Sequence, residues 1–261
     1  HWCKVLADSS LVALAADEGA SARERPLVLS GKRLYLRRYW AYERRIDSAL
    51  RQRLAEQEAT PSDLARRLDE LFDPAMRADV IDWQKLACAL ATRSAFSIIT
   101  GGPGTGKTTT VVRLLALLQA PAVEAHQPLR IRLAAPTGKA AARLTESISQ
   151  QVQSLRVADS VREKIPTEVT TVHRLLGSRP GTRHFRHHAG NRLPLDVLVV
   201  DEASMIDLEM MTNLLDALPP HARLVLLGDK DQLASVEAGA VLGDLCRDAE
   251  EGWYSPQTRQ W

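Results

Sequence analysis

Residues 101–108 read GGPGTGKT, and this spacing of glycines, lysine and threonine fits the phosphate-loop pattern G-x-x-x-x-G-K-[ST] at every position. Glycines let the backbone wrap around a phosphate, so that N–H groups and the next helix N-terminus point at its charge. The Lys107 ammonium would contact the β- and γ-phosphates, and the Thr108 hydroxyl would ligate Mg²⁺. A chance glycine-rich turn is the simpler alternative, which the full pattern disfavours. The predicted nucleotide-binding residues of this loop are Gly101, Gly102, Pro103, Gly104, Thr105, Gly106, Lys107, Thr108 and Thr109.

A second polar pair, Asp201 and Glu202, directly follows the apolar run DVLVV at 196–200. Asp201, at the tip of a buried strand, is placed to hold Mg²⁺ through a water molecule. Glu202 would orient and deprotonate the attacking water, which is the role of a general base. A phosphate-loop kinase needs no such base, so the pair favours hydrolysis of a nucleoside triphosphate. Without the phosphate loop upstream, the pair would be read as an ordinary solvated strand end.

The elements that must position these residues alternate from about residue 80 onwards. Four apolar runs are predicted strands, and each is followed by a predicted helix. Because the runs are apolar on both faces, they indicate an α/β fold with a parallel sheet covered by helices on both sides. The predicted strands are FSIIT at 96–100, RIRLAA at 130–135, DVLVV at 196–200 and RLVLL at 223–227. The predicted helices cover about 82–94, 108–119, 139–149, 208–218 and 238–245; residues 150–194 are predicted to be irregular, apart from a short ordered piece at 171–176.

The first 75 residues have a different pattern. Residues 4–16 are predicted to form a short strand and then a helix, and residues 26–36 two short strands around a Ser30-Gly31 turn. Residues 37–58 have apolar positions at helical spacing, and a further helix is predicted from Pro61-Ser62-Asp63 to Leu71. We therefore predict a small, mostly helical N-terminal region.

Composition excludes several classes of protein. Of the 261 residues, 45% are apolar and 25% charged, and the formal net charge is +2, so any basic surface for nucleic acid must be local. Cys3, Cys88 and Cys246 are far apart, which disfavours a zinc site or a disulfide framework and favours a reducing cytoplasm. No apolar run reaches the length of a membrane span. A start at His1 without an initiator methionine, and an end at Trp261 without a stop signal, indicate a fragment of a longer protein.

With these motifs, the turn GDKDQ at 228–232 resembles the third motif of superfamily 1 helicases, a Gly-Asp-x-x-Gln turn. The chain as a whole resembles the RecD family within superfamily 1B, nearly continuously over about 80–248 and more weakly over 26–75. The other segments that carry the resemblance are DWQKLA at 82–87 (a Gln motif), APTGKAAARL at 135–144 (motif Ia), TVHRLLG at 171–177 (motif Ib), FRHHAGN at 185–191 and LASVEAG at 233–239.

The resemblance implies an ATP-dependent DNA helicase with a RecA-like domain that uses ATP and Mg²⁺ and moves 5′ to 3′ along single-stranded DNA. Gln84 would contact the adenine of ATP. Gln232 would sense the γ-phosphate and couple it to the DNA; a side-chain amide suits this role because it both donates and accepts hydrogen bonds. The predicted catalytic residues are therefore Lys107, Glu202 and Gln232.

The resemblance also implies that Thr137, Lys139, Thr171 and His173 contact the backbone of single-stranded DNA. The Pro-Thr-Gly-Lys turn at 136–139 offers a hydroxyl, N–H groups, a lysine and a helix N-terminus, all of them phosphate ligands that carry no base specificity. The alternative for Thr137 and Lys139 is a helix N-cap beside a solvated lysine, and for His173 a core or capping histidine.

The segment around 178–194 is a small basic insertion in which four Arg and three His surround the single Phe185. A metal site made by His184, His187 and His188 is disfavoured, because no cysteine or carboxylate joins them. Two interpretations stay open: a solvated surface hairpin, or a DNA-contacting hairpin in which Phe185 stacks on a base.

We predict that residues 1–75 are the remnant of an N-terminal partner-binding region and that residues 76–261 are the first RecA-like motor domain. The family implies RecB and RecC as partners in double-strand break repair, with the N-terminal region against RecC and no membrane contact. It also implies a second motor domain with an arginine finger, so these 261 residues alone should bind nucleotide and hydrolyse it poorly. The alternatives are a RecD2-like or TraA-like helicase outside RecBCD and a non-motor phosphate-loop ATPase that acts as a scaffold.

Overall fold

The structure, a computed structural model, describes residues 2–17, 24–55, 60–72, 81–182, 184–232, 241–247, 249 and 254–261. The motif residues 233–239 and the beginning of the helix predicted from residue 238 lie outside the described residues. Among the described residues, no helix is both long and apolar enough to cross a membrane.

Within its described residues, the N-terminal region contains a small three-stranded sheet and three helices. The helix comes before the first strand, so the predicted order of strand and then helix over residues 4–16 was wrong. The run at 12–14 forms the strand because Val12 and Ala13 are buried and pair with the next strand, whereas the first helix buries no residue. The elements are α1 Trp2–Ala7, β1 Val12–Leu14, β2 Leu27–Ser30, β3 Arg33–Leu36, α2 Arg37–Ala55 and α3 Leu64–Leu71.

A parallel sheet of five strands forms the centre of the molecule, which confirms the predicted RecA-like α/β fold. Its strands are β4 Phe96–Thr100, β5 Ile131–Ala135, β6 Val169–Thr171, β7 Val197–Val200 and β8 Arg223–Gly228. They lie in the order β4-β8-β7-β5-β6, and every neighbouring pair is parallel. Parallel strands in this order bring all five carboxyl ends to one edge of the sheet.

Helices cover both faces of this sheet. The helices described after α3 are α4 Trp83–Thr92, α5 Lys107–Glu124, α6 Gly138–Gln153, α7 Asp159–Arg162, α8 Val172–Leu176, α9 Leu208–Ala217, α10 Val241–Leu245 and α11 Pro256–Gln260, the last of which buries no residue. Alternate residues of β7 face opposite sides: Val197 and Val199 pack into one apolar cluster with α5 and α6, and Leu198 and Val200 into a second cluster with α9. The sheet is therefore buried on both faces, as its apolar strands predicted.

Several predictions on the extent of elements were wrong: helix α6 continues to Gln153 beyond the predicted end at 149, helix α7 lies in the stretch predicted to be irregular, and two further cases follow. Helix α5 runs past the predicted end at Gln119 and contains Pro121, because the side-chain amide of Gln119 is buried and bonds both the N–H and the carbonyl of Leu129. Strand β6 lies in a stretch predicted to be irregular. It has only three residues at the sheet edge, and its pairing with β5 supplies an order that so short a run does not encode.

Helices α2 and α3 of the N-terminal region share the core of the five-stranded sheet. Ile46 and Leu50 of α2 lie in the cluster with α9, whereas Leu64, Leu68 and Phe72 lie in the cluster with α5. The two helices therefore pack on opposite faces of the sheet.

Candidate nucleotide and DNA site

The phosphate loop lies between β4 and α5, at the carboxyl edge of the sheet. Gly104 and Gly106 have φ values of 75° and 81°, in the left-handed region that a residue with a side chain would adopt only with strain. The Lys107 ammonium donates to the carbonyl oxygens of Gly101 and Gly102, the latter at 2.9 Å, and is thereby held against the loop. The loop has the backbone and the cation that a phosphate cradle needs.

Gln84 contacts the phosphate loop directly. Asp82 caps α4 by accepting from the N–H groups of Gln84 and Lys85, both at 3.0 Å, which places Gln84 in the first turn of the helix. The Gln84 Nε2 donates to the carbonyl of Thr105 at 3.1 Å. A Cβ at Gly106 would lie only 2.3 Å from this nitrogen, so the glycine is required for the contact. The predicted adenine-reading residue and the phosphate loop are thus packed together.

The predicted acid pair follows β7 at the same edge of the sheet. Burial raises the pKa of the Asp201 carboxyl, while the nearby Lys107 ammonium acts in the opposite direction. Glu202 has a φ of 51° and a ψ of 38°, a left-handed conformation that is uncommon for a residue with a side chain. Strain of this kind is frequent at functional sites, because the surrounding structure forces a side chain into a required direction.

The third-motif turn is joined to the phosphate loop through the backbone. The N–H of Gly101 donates to the carbonyl of Gly228 at 3.2 Å, and the N–H of Lys230 donates to the Thr100 hydroxyl at 3.3 Å. Within the turn, the Gln232 N–H donates to the carbonyl of Asp229 at 3.3 Å, and Asp229 itself is buried. The exposed Gln232 therefore projects from an anchored turn beside the loop.

One cleft of about 450 Å³ is lined by the predicted magnesium ligands, by residues of motif Ia and by two of the three predicted catalytic residues, the third being Lys107 of the phosphate loop. The Thr108 hydroxyl and the Asp201 carboxylate on its wall are oxygen ligands of the kind that Mg²⁺ prefers, so the residues present fit ATP with Mg²⁺. Arg143 also lines the cleft, a contribution that the sequence analysis missed, although its i,i+4 spacing from Lys139 could have indicated it. The predicted residues that line this cleft are Thr108, Thr137, Lys139, Asp201, Glu202 and Gln232.

The side chain of Thr109, the last of the predicted nucleotide-binding residues, contacts helix α6. Its hydroxyl hydrogen-bonds the Gln151 side-chain oxygen of α6 at 3.2 Å. The contact of Thr109 with a nucleotide stays a prediction.

Four of the five predicted DNA-binding residues line two different clefts: Thr137 and Lys139 line the cleft just described, and His173 and Phe185 line another, whereas Thr171 lines neither of them. His173 and Phe185 line a second cleft of about 540 Å³, beside α2 and α9. Their rings meet edge to face, with centroids 6.0 Å apart. Thr137 and Thr171 both cap helices, accepting from Ala140 and Arg174 backbone N–H groups respectively. Because a hydroxyl that accepts one hydrogen bond can still donate another, these caps leave a phosphate contact open.

The histidine-rich segment forms a tight turn. The backbone groups of His188 and Asn191 bond each other in both directions, at 2.9 and 3.1 Å, and the partly buried Phe185 packs on the cluster with α9. No group of three or more potential metal-ligating side chains occurs in the part of the chain that the structure describes. The geometry is that of a surface hairpin, and its contact with DNA stays a prediction.

The fold and this site define a phosphate-loop NTPase: a parallel sheet whose carboxyl edge carries the phosphate loop, an Asp-Glu pair and a polar sensor turn. The AAA domain family matches residues 84–238, more than half of the chain, and the chain belongs to that family.

Sequence comparison shows which proteins of known name this chain is similar to. The RecBCD enzyme subunit RecD of Mycolicibacterium smegmatis is 48% identical over 240 residues, which cover 91% of this chain and 42% of that protein. RecD of Haemophilus influenzae is 46% identical over 230 residues, covering 85% of this chain and 35% of that protein. The ATP-dependent RecD2 DNA helicase of Deinococcus radiodurans is 35% identical over 217 residues, which cover 83% of this chain and 26% of that protein. The resemblance to RecD proteins is confirmed, and the chain spans less than half the length of these relatives.

Proposed function

We propose that this chain is the first motor domain of an ATP-dependent DNA helicase subunit that moves 5′ to 3′ along single-stranded DNA. The observation that carries the proposal is the cleft in which Thr108, Asp201 and Glu202 share walls with Gln232 and Lys139. In such a cleft, hydrolysis of the bound nucleotide can change the positions of the side chains that would touch DNA. The similarity to RecD subunits at 46–48% identity supports the same conclusion.

The residues of the phosphate loop and of the acid pair have distinct tasks in ATP hydrolysis. The loop amides and Lys107 would bind the phosphates, and Thr108 with Asp201 would hold Mg²⁺, which neutralises charge on the β- and γ-phosphates. Glu202 would accept a proton from the attacking water, and its left-handed backbone directs the carboxylate from the strand end. Burial raises the pKa of the Asp201 carboxyl, so a cation bound beside it would stabilise its charged form.

We propose that Gln232 couples ATP hydrolysis to DNA unwinding. A Gln232→Ala variant of the full-length protein tests this role. We expect the Kd for ATP to change less than about twofold and DNA unwinding per ATP hydrolysed to fall about tenfold, within the usual range of coupling free energies. The assay pairs fluorescent strand separation with phosphate release. Gln153→Ala, at an exposed residue of α6 that does not line the cleft, is the matched control and should behave as wild type. An unchanged unwinding yield in Gln232→Ala would remove the sensor role.

The partners that we propose are RecB and RecC, in a cytoplasmic complex that acts on broken DNA. The names of the RecD relatives support this, as does a set of exposed apolar side chains in the N-terminal region that would suit a protein interface. These side chains are Trp2, Val5, Leu11, Leu14, Leu34 and Leu36. We also propose that residues 1–75 form a partner-binding region and residues 76–261 the motor domain.

A RecD2-like helicase outside RecBCD is the second candidate, favoured by the 35% identity to the RecD2 helicase. Co-purification with RecB and RecC would support the first candidate, and helicase activity without either subunit would support the second.

We further propose that the 261 residues alone bind ATP but turn it over slowly, because transition-state charge in such motors is stabilised by an arginine from a second domain.

A further inference from the structure

We propose that Arg113 fixes the orientation of the Gln84 side-chain amide and thereby makes the nucleotide site select adenine over guanine. The inference rests on the proposed function, in which Gln84 contacts the base of the bound nucleotide. Arg113 belongs to α5, the helix that begins at the phosphate loop, and its guanidinium reaches back to α4. Arg113 is a positioning residue, since it acts through Gln84.

Two neighbours hold the Gln84 amide from opposite ends. Its Nε2 donates to the Thr105 carbonyl at 3.1 Å, and its Oε1 accepts from Nη1 of Arg113 at 3.4 Å. A guanidinium can only donate and a carbonyl can only accept, so these partners decide which end of the amide is nitrogen. A rotation by 180° would set the amide NH₂ against Arg113 and its oxygen against the Thr105 carbonyl. Both contacts would be repulsive, so the amide has one orientation.

The guanidinium of Arg113 is itself held in place. Its central carbon lies 4.5 Å from the ring centroid of Phe72, a cation–π contact. Phe72 is only 3% exposed and packs in the apolar cluster with α5, so the ring is a fixed support. Arg113 is half-buried, which limits the alternative positions of its side chain.

The fixed amide has one remaining acceptor position on Oε1 and one remaining donor on Nε2. Adenine presents a donor, N6, beside an acceptor, N7, and matches both positions of Gln84. Guanine presents two acceptors there, O6 and N7, so that Oε1 would face O6 without a proton between them. Without Arg113, only the Thr105 carbonyl would oppose rotation of the amide, and a rotated amide could donate to O6, so the discrimination against guanine would weaken.

The test is an Arg113→Met variant in the full chain, with the Kd for ATP and for GTP measured by displacement of mant-ATP in the presence of Mg²⁺. The wild type should prefer ATP, and the variant should lose about tenfold of that preference, within the range of a well-placed amide–base pair. Arg113→Lys retains a donor above Phe72 and should keep most of the preference. Arg156 lines the same cleft as Arg113 and Phe72. The Arg156→Met control therefore removes a neighbouring cation, and it should leave the ratio of the Kd values for ATP and GTP unchanged.

A Gln84→Ala variant separates failure of this inference from failure of the proposed function. It should abolish the preference for ATP, and adding Arg113→Met should then have no further effect on the ratio. If Gln84→Ala abolishes the preference but Arg113→Met weakens both nucleotides equally, Arg113 has only a structural role and the inference is overturned. If Gln84→Ala leaves the preference intact, or the wild type has none, Gln84 does not read the base, and that part of the proposed function fails as well.

Discussion

A Glu202→Gln variant should hydrolyse ATP about 10²–10⁴-fold more slowly than the wild type, the usual contribution of a general base. Glutamine keeps the length and shape of glutamate but has no carboxylate that could accept a proton from water. The nearby Asp201 is retained, and so is the phosphate loop, so the Kd for ATP should change less than about threefold. The loss should appear in kcat, measured by phosphate release in the full-length protein with single-stranded DNA.

The matched control for this variant is Glu209→Gln. Glu209 lies on α9 close in sequence to Glu202, but it lines the second cleft, with His173 and Phe185. Its substitution removes the same charge near the same edge of the sheet and should leave kcat for ATP within about twofold of the wild type. A Glu202→Gln enzyme with a kcat equal to that of Glu209→Gln would show that the base is another residue.

A Lys107→Ala variant should lose both ATP binding and turnover. The ammonium lies over the loop, where it bonds the carbonyl oxygens of Gly101 and Gly102, and in the transition state it would stabilise charge on the transferred phosphate. Removing one such preorganised charge costs about 10²–10³-fold in kcat in other enzymes, and the weaker ground-state contact should raise the Kd for ATP in addition. Titration with mant-ATP and steady-state phosphate release measure the two effects separately.

Lys164→Ala is the control for the loss of a lysine. Lys164 is exposed, and its backbone carbonyl accepts from Gln119, far along α5 from the phosphate loop. This control should bind and hydrolyse ATP as the wild type does. Wild-type affinity and turnover in Lys107→Ala would mean that the loop at 101–108 is not the site of hydrolysis.

The sequence predicted the parts of the site that depend on local rules. The phosphate loop and the acid pair follow apolar strands directly, and the parallel sheet then brings those strand ends together without further information. Asp82 depends on a local rule too, since it caps α4 by accepting from the N–H groups of residues two and three positions later. Residue type and spacing suffice where the chemistry demands a glycine, a lysine or a carboxylate at one position.

What the sequence did not predict depends on contacts between distant segments. Strand β6 exists because β5 pairs with it, and α5 continues through Pro121 because Gln119 is anchored to Leu129. The contact between Arg113 and Gln84 joins two helices, and no local pattern encodes it. In the same way, the separation of His173 and Phe185 from the nucleotide cleft follows from the packing of α2 and α9.

The most direct test of a motor in which Gln232 and Lys139 line the same cleft as the magnesium ligands is the rate of ATP hydrolysis by the full-length protein, measured with and without single-stranded DNA. We expect single-stranded DNA to raise kcat for ATP at least about tenfold, since the proposed coupling through Gln232 and Lys139 lets bound DNA change the catalytic side chains. The same rate in the presence and absence of DNA, at concentrations where DNA binding is saturated, would contradict the account and favour an ATPase that serves as a scaffold.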